Sequence, residues 1–77
     1  MSVQLRYFAS LREQMAREGD RLELAQPMSV SAVWQAANPG RALPENMLMA
    51  INQEYAHAGE LVHDGDEVAF FPPVSGG

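Results

Sequence analysis

The sequence predicts an α+β fold in which one mixed β-sheet is packed on one face by helices. Because the chain has 77 residues, it can enclose only one hydrophobic core, for which two layers of secondary structure suffice. Hydrophobic residues make up 47% and charged residues 19% of it, which is typical of a folded chain. The patterning predicts the order β, α, β, α, β, β, β. We expect one domain over residues 1–71 and a flexible tail over residues 72–77.

The first strand and helix are marked by alternation and then by a capping pattern. Apolar residues alternate with their neighbours, as in a strand with one face on a core, at Val3, Leu5 and Tyr7. Ser10 and Glu13 have the spacing of a capping box, which predicts a helix over about residues 11–18 that ends at Gly19. Residues 21–24 alternate again and predict the second strand.

The second helix has the strongest pattern in the chain. Ser29 can cap its N-terminus, and the apolar residues that follow have the spacing of one helical face, namely Val30, Val33, Trp34 and Ala37. Asn38, Pro39 and Gly40 end this helix.

The rest of the chain predicts short strands joined by turns. In chain order the segments are a loop (41–46), a buried strand (47–51), a turn (52–54), a short strand (55–56), an apolar pair (61–62), a tight turn (64–66) and the final strand (67–71). Since helical crossovers separate strand one from the final strand, these two could pair in parallel at the sheet centre.

Charge and residue usage exclude several classes of function. Ten acidic residues against five arginines give a net charge of −5, which argues against a nucleic-acid surface. Without cysteine the chain has no disulfide, thiolate metal site or thiol nucleophile, which suits a reducing cytosol. The first residues lack the apolar region of a signal peptide, and no apolar run approaches the roughly 20 residues that span a bilayer. We expect a soluble cytoplasmic protein that binds neither nucleic acid nor membrane.

The side chains do not form a recognisable catalytic or metal site. Asp64, Asp66 and Glu67 lack the spacing of a calcium loop and are expected to form a solvated turn. His57 and His63 lack the partners of a zinc motif, so we expect surface histidines and no bound metal. The serines fit no nucleophile elbow or phosphate loop.

The α-carboxylate of Gly77 is the one reactive group in an unusual setting. It is an anion at neutral pH that can attack an activated phosphate. Because Gly76 and Gly77 have no Cβ, this end of the chain can pass through a narrow channel. Pro72 and Pro73 favour an extended conformation, and six extended residues reach about 20 Å. The pattern favours a terminus that enters a pocket of another protein.

Two segments resemble the small subunit of molybdopterin synthase, a ubiquitin-like sulfur carrier family. Residues 65–77, GDEVAFFPPVSGG, are similar to the family's C-terminal signature, and residues 7–13, YFASLRE, to its first strand and helix. The resemblance covers the whole chain and implies a β-grasp fold. It also implies a non-catalytic sulfur-carrier subunit of a transferase complex that binds no cofactor itself.

The resemblance implies a cycle of reactions at Gly77, with Gly76 beside it. An adenylyltransferase that resembles ubiquitin-activating enzymes would use ATP and Mg²⁺ to adenylate the carboxylate. A persulfide sulfur donor would then convert it to a thiocarboxylate. The tail would enter the large catalytic subunit and donate sulfur to cyclic pyranopterin monophosphate, forming the molybdopterin dithiolene. Two large and two small subunits would form a heterotetramer.

Partner contacts are expected at the end of the final strand and along the tail. Aromatic residues are enriched at interface anchors, and the candidate contact residues are Phe70, Phe71, Pro72, Pro73, Val74 and Ser75. Strand alternation lets only one of Phe70 and Phe71 point into the core. Three alternatives stay open: a sulfur carrier for thiamine or tRNA thiolation, a ubiquitin-like protein modifier, and a plain interaction domain.

Overall fold

A computed structural model describes residues 1–72 of the chain. In chain order the elements are β1 (Ser2–Tyr7), α1 (Ser10–Met15), β2 (Gly19–Glu23), β3 (Met28–Ser29), α2 (Val30–Ala37), β4 (Leu48–Ile51), β5 (Glu54–Ala56), β6 (Leu61–Val62) and β7 (Glu67–Phe71). None of the helices within the described range is long and apolar enough to cross a membrane.

The main sheet has five strands in the order β2-β1-β7-β4-β5. Its central strands, β1 and β7, are parallel, in a register that sets Gln4 beside Glu67 and Tyr7 beside Phe70. The other neighbours are antiparallel. The predicted mixed sheet is therefore confirmed, and β1 and β7 form the parallel central pair that the sequence allowed. A small second sheet joins β3 to β6.

The core lies between one face of the main sheet and the two helices. Trp34 of α2 is almost fully buried, and its ring meets those of Tyr7 and Phe70 at 6.0 Å and 5.0 Å between centroids, both edge to face. Such pairs contribute about 0.5–1.5 kcal/mol each beyond the area that they bury. The Trp34 indole N–H donates to the Arg41 carbonyl at 2.8 Å, so burial leaves no polar atom of this ring unpaired.

Helix α2 begins as the sequence predicts. The Ser29 hydroxyl accepts a hydrogen bond from the Ala32 N–H at 3.1 Å, which satisfies one of the free N–H groups of the first turn. At the other end the Asn38 N–H bonds to the Trp34 carbonyl at 2.9 Å, and the helix ends at Ala37.

Helix α1 differs from the prediction at both ends. The N-cap residue is Ala9 rather than Ser10, and no side chain caps the helix, so the predicted capping box is wrong. The helix ends at Met15, where Ala16 follows in the left-handed conformation, and not at Gly19. Gly19 instead begins β2, where a Cβ would overlap the Leu5 carbonyl oxygen. Close strand approach, and not helix termination, requires this glycine.

The turns at the far end of the sheet agree with the sequence. Asn52 and Gln53 have φ values of 51° and 71°, as in the two-residue turns that connect antiparallel strands, and they join β4 to β5. Gly65 has a φ of 84°, so a residue with a side chain would be strained there. β3 was not predicted, because a two-residue strand has too few positions to show a pattern.

Candidate functional site

The predicted tail begins where the central strand β7 ends. Phe71 is the last residue of β7, and the half-buried Pro72 follows it outside any strand. The predicted site residues Pro73, Val74, Ser75, Gly76 and Gly77 lie outside the described residues. The segment is therefore attached to the C-terminal end of a central strand of the sheet.

The two phenylalanines of β7 point to opposite faces of the sheet, as alternation predicts. The Phe70 side chain is 0% exposed, packed between Trp34 and Tyr7. The prediction that Phe70 contacts a partner is wrong, because its side chain has no accessible surface. Phe71 is half-buried on the outer face of the sheet, the face away from the helices.

Phe8 covers one side of Phe71. The two rings stack with centroids 4.9 Å apart and planes 12° from parallel. The Phe8 N–H donates to the Phe70 carbonyl at 3.2 Å, which continues the parallel pairing of β1 and β7 past Tyr7. The sequence placed Phe8 at the end of strand one without a role. Parallel pairing, which the sequence left open, is what brings it to Phe71.

An apolar groove extends from this stack across the outer face. Ala50 and Ala69, which are opposite each other in the β4–β7 register, form its floor, and the lining is completed by Phe8, Phe71, Gln53 and Tyr55. Its volume is about 230 Å³. Tyr55 is 80% exposed. We call this feature the outer groove; its size and apolar lining suit an inserted apolar side chain.

Two further side chains lie on the outer face, one apolar and one charged. Leu48, opposite Phe71 in the β4–β7 register, is 43% exposed. Arg6 lies with its guanidinium carbon 5.5 Å from the centre of the Phe8 ring and 3.8 Å from the Glu67 carboxylate. Both charged side chains are substantially exposed, so this ion pair contributes little to stability.

The carboxylates singled out in the sequence hold turns together. Asp66 accepts hydrogen bonds from the Asn52 side chain at 2.9 Å and the His63 N–H at 2.8 Å. Asp64 accepts one from the Ser2 N–H at 2.7 Å. Within residues 1–72 no three histidine or acidic side chains are grouped as metal ligands would be, and His57 and His63 are exposed.

A polar network surrounds Tyr7, at the end of the core where β7 ends. The Tyr7 hydroxyl donates to Asp20 at 2.8 Å and accepts from the Asn38 amide at 3.2 Å, and the Arg17 Nε–H donates to Asp20 at 2.7 Å. Burial raises the pKa of the Tyr7 phenol, against a lowering by the Asn38 hydrogen bond, and Asp20 adds to the rise. The hydrogen bond to Asp20 raises the pKa of Arg17. Since these groups satisfy one another, the network joins β1, β2 and the end of α2.

Over nearly its whole length, the chain is similar to a protein family and to several named proteins. A family model described as the ThiS family matches residues 5–77. The chain is 37% identical to a protein of Escherichia coli over 97% of its own length and 99% of that protein's. It is 36% identical to one of Chlamydomonas reinhardtii over 100% of both. A human relative is 30% identical, over 97% and 93%. All three are named molybdopterin synthase sulfur carrier subunit.

Solved structures share the fold. Small archaeal modifier protein 1 of H. volcanii superposes with a TM-score of 0.78 at 26% identity, covering 95% of this chain and 98% of that one. A Helicobacter pylori complex of subunits 1 and 2 of molybdopterin-converting factor includes a chain that matches with a TM-score of 0.66 at 22% identity, over 100% of both chains. The predicted ubiquitin-like β-grasp fold is confirmed.

Proposed function

The chain belongs to the ThiS family, and on that premise we propose that it is the sulfur carrier subunit of a molybdopterin synthase. The observation that carries the proposal is the extent of the family match, which runs to residue 77 and so includes Gly76 and Gly77. The relatives that bear this name align with nearly the whole chain, which supports the same role.

The proposed chemistry takes place at the Gly77 carboxylate. A carboxylate oxygen attacks the α-phosphorus of Mg²⁺-bound ATP in a partner adenylyltransferase, pyrophosphate leaves, and an acyl-adenylate forms. A persulfide sulfur then attacks the acyl carbon and displaces AMP. A thiol reduces the remaining sulfur–sulfur bond and leaves a thiocarboxylate on Gly77. Adenylation is required because a free carboxylate is a poor acylating group.

Delivery of the sulfur assigns different tasks to the two subunits. We assign to the large subunit the groups that bind the cyclic pyranopterin monophosphate and stabilise the charges that develop during transfer. This chain supplies the thiocarboxylate and the segment, residues 72–77, that carries it into the partner. The carrier is regenerated with a carboxylate when water replaces the donated sulfur.

The outer groove is the proposed docking surface for the large subunit. Phe71 lines it and Pro72 follows Phe71 in the chain, so a partner that fills the groove is close to the point where residues 73–77 are attached. An apolar anchor in a groove floored by Ala50 and Ala69, with the exposed Tyr55 ring beside it, has the features of an interface centre. We propose the heterotetramer of two large and two small subunits as the resulting assembly.

Protein modification is the second candidate function. It is favoured by the likeness to small archaeal modifier protein 1, because conjugation would use the same activated Gly77. An amine of a target protein would then attack the acyl carbon in place of sulfur. Sulfur donation to thiamine or tRNA pathways would differ only in the receiving partner.

Reconstitution separates these candidates. The thiocarboxylated chain is mixed with a molybdopterin synthase large subunit and cyclic pyranopterin monophosphate, and the product is oxidised and measured by fluorescence. We expect molybdopterin in proportion to the thiocarboxylate consumed. In parallel, affinity capture from cells expressing a tagged chain should recover the large subunit. A ladder of conjugated proteins, with no molybdopterin formed, would favour the modifier instead.

A further inference from the structure

The link between β1 and α1 contains a backbone conformation that residues with a Cβ rarely adopt. Ala9 has φ 54° and ψ −135°, in the left-handed half of backbone space that favours glycine. An alanine persists there only where its surroundings impose the conformation, and such residues often lie at functional sites. Ala9 directly follows Phe8, whose ring stacks on Phe71, the residue before Pro72.

The surroundings impose this conformation from both sides. On one side, β1 is continued to Phe8 by hydrogen bonds from the Tyr7 N–H to the Glu18 carbonyl at 2.8 Å and from the Phe8 N–H to the Phe70 carbonyl at 3.2 Å. On the other, α1 is anchored by the buried Leu11 and Met15. The chain must change from strand to core-packed helix at Ala9.

This change of direction determines where the Phe8 ring lies. The ring stays on the outer face, 4.9 Å from that of Phe71 and 12° from parallel to it, while Arg6 covers it at 5.5 Å. We infer that Ala9 is a positioning residue, whose positive-φ backbone sets the Phe8 ring flat on Phe71 and thereby fixes the direction in which Pro72 leaves the sheet. The consequence for sulfur transfer rests on the proposed function.

Ala16 provides a matched control at the opposite end of the same helix. It also has a positive φ, of 59°, although its ψ of 29° places it in the αL region, and like Ala9 it is exposed. A valine at either position is strained by the positive φ without crowding a core. Ala9→Val should cost more stability than Ala16→Val, because the ψ of Ala9 lies outside the αL region. Only Ala9 adjoins Phe8, so only Ala9→Val should disturb the Phe8–Phe71 stack.

The experiment compares Ala9→Val with Ala16→Val. Nuclear Overhauser contacts between the Phe8 and Phe71 rings report the stack, and thermal unfolding reports stability. The rate of sulfur transfer is measured in a single turnover at saturating large subunit, and the dissociation constant is measured separately. We expect Ala9→Val to weaken the ring contacts and to slow transfer about tenfold or more, because small misplacements of a reacting group are costly. Ala16→Val should keep the ring contacts and stay within about twofold of the unsubstituted chain.

Side-chain variants test the same inference if Ala9→Val fails to fold. Phe8→Leu removes the flat stack but keeps an apolar side chain, so it should lower the rate of sulfur transfer at saturating large subunit. Phe8→Tyr keeps the ring, so its rate should match that of the unsubstituted chain. Intact ring contacts in Ala9→Val, or equal slowing by both valine variants, would overturn the inference. If the unsubstituted chain formed no thiocarboxylate, the proposed function would fail, but the ring contacts would still decide whether Ala9 positions Phe8.

Discussion

Phe70 and Phe71 show how adjacent residues of one strand take separate tasks. Phe70 is packed against Trp34 and Tyr7 in the core, whereas Phe71 stacks on Phe8 beside the outer groove. The sequence predicted that only one of them could face inward. It did not distinguish them, because the choice depends on which face of β7 the helices cover.

Alanine substitutions should separate the two tasks. We expect Phe70→Ala to lower the free energy of unfolding by about 3–5 kcal/mol, because it leaves a cavity in the core. Phe71→Ala should cost about 1 kcal/mol, the scale of one stacked aromatic pair, but should weaken binding to the large subunit about tenfold or more. Urea unfolding and calorimetric titration measure the two quantities. A Phe71→Ala chain that binds normally would show that the outer groove is not the docking surface.

The Tyr7 phenol should make stability depend on pH in the alkaline range. Burial raises its pKa above the ordinary value of 10.0, so the unfolded chain loses this proton at a lower pH than the folded chain. The contribution is therefore fully present below pH 10 and is lost as the pH rises through the folded-state pKa. Urea unfolding from about pH 8 to about pH 11 should show a fall that is shallower in Tyr7→Phe. Equal slopes for the two chains would contradict this assignment.

At the scale of elements, the two helices begin in different ways, although a serine lies at the start of each, Ser10 for α1 and Ser29 for α2. The Ser29 hydroxyl caps α2, whereas no side chain caps α1. α1 has only six residues, and its position is set by the burial of Leu11 and Met15 and by the link at Ala9. Short helices of this kind depend on tertiary packing more than on local signals.

Paired serine substitutions test this difference. Ser29→Ala should lower the free energy of unfolding by about 1 kcal/mol, because it leaves the Ala32 N–H without its partner. Ser10→Ala should change it by less than about 0.5 kcal/mol, since Ser10 is an exposed residue without a capping role. Chemical unfolding of the two variants measures both values. An equal loss in the two would indicate that α1 is capped by Ser10 after all.

Sequence patterns predicted the elements well and the contacts between them less well. The apolar face of α2 and the alternation of β1 could be predicted because each pattern repeats over several residues. The helical crossovers made parallel pairing of β1 with β7 possible but did not determine it. β3 depends on pairing with β6 and had no local pattern. Phe71 was identified as a candidate, together with Phe70, because aromatic residues are enriched at interface anchors. Phe8 and Tyr55 were not, because strand register alone places them beside it.

At the scale of the whole molecule, the hydrophobic core is separate from the segment that carries the proposed reactive carboxylate. β1 and β7 pair at the centre of the sheet, and the chain continues from there through Phe71 and Pro72. A root on a central strand, flanked on both sides by paired strands, is held more rigidly than one on an edge or a loop. The core thus fixes the point at which residues 73–77 are attached, and we propose that partners supply the chemistry that takes place at Gly77.

The measurement that tests the sulfur-carrier role most directly is the intact mass of the chain after activation. The chain is incubated with a molybdopterin synthase adenylyltransferase, Mg²⁺-ATP, a persulfide donor and a thiol reductant, beside the Escherichia coli relative as a positive control and a chain lacking Gly77 as a negative one. We predict a mass increase equal to the replacement of one oxygen by sulfur, dependent on ATP and located at Gly77. An unchanged mass, in a reaction that thiocarboxylates the Escherichia coli relative, would contradict the proposed function.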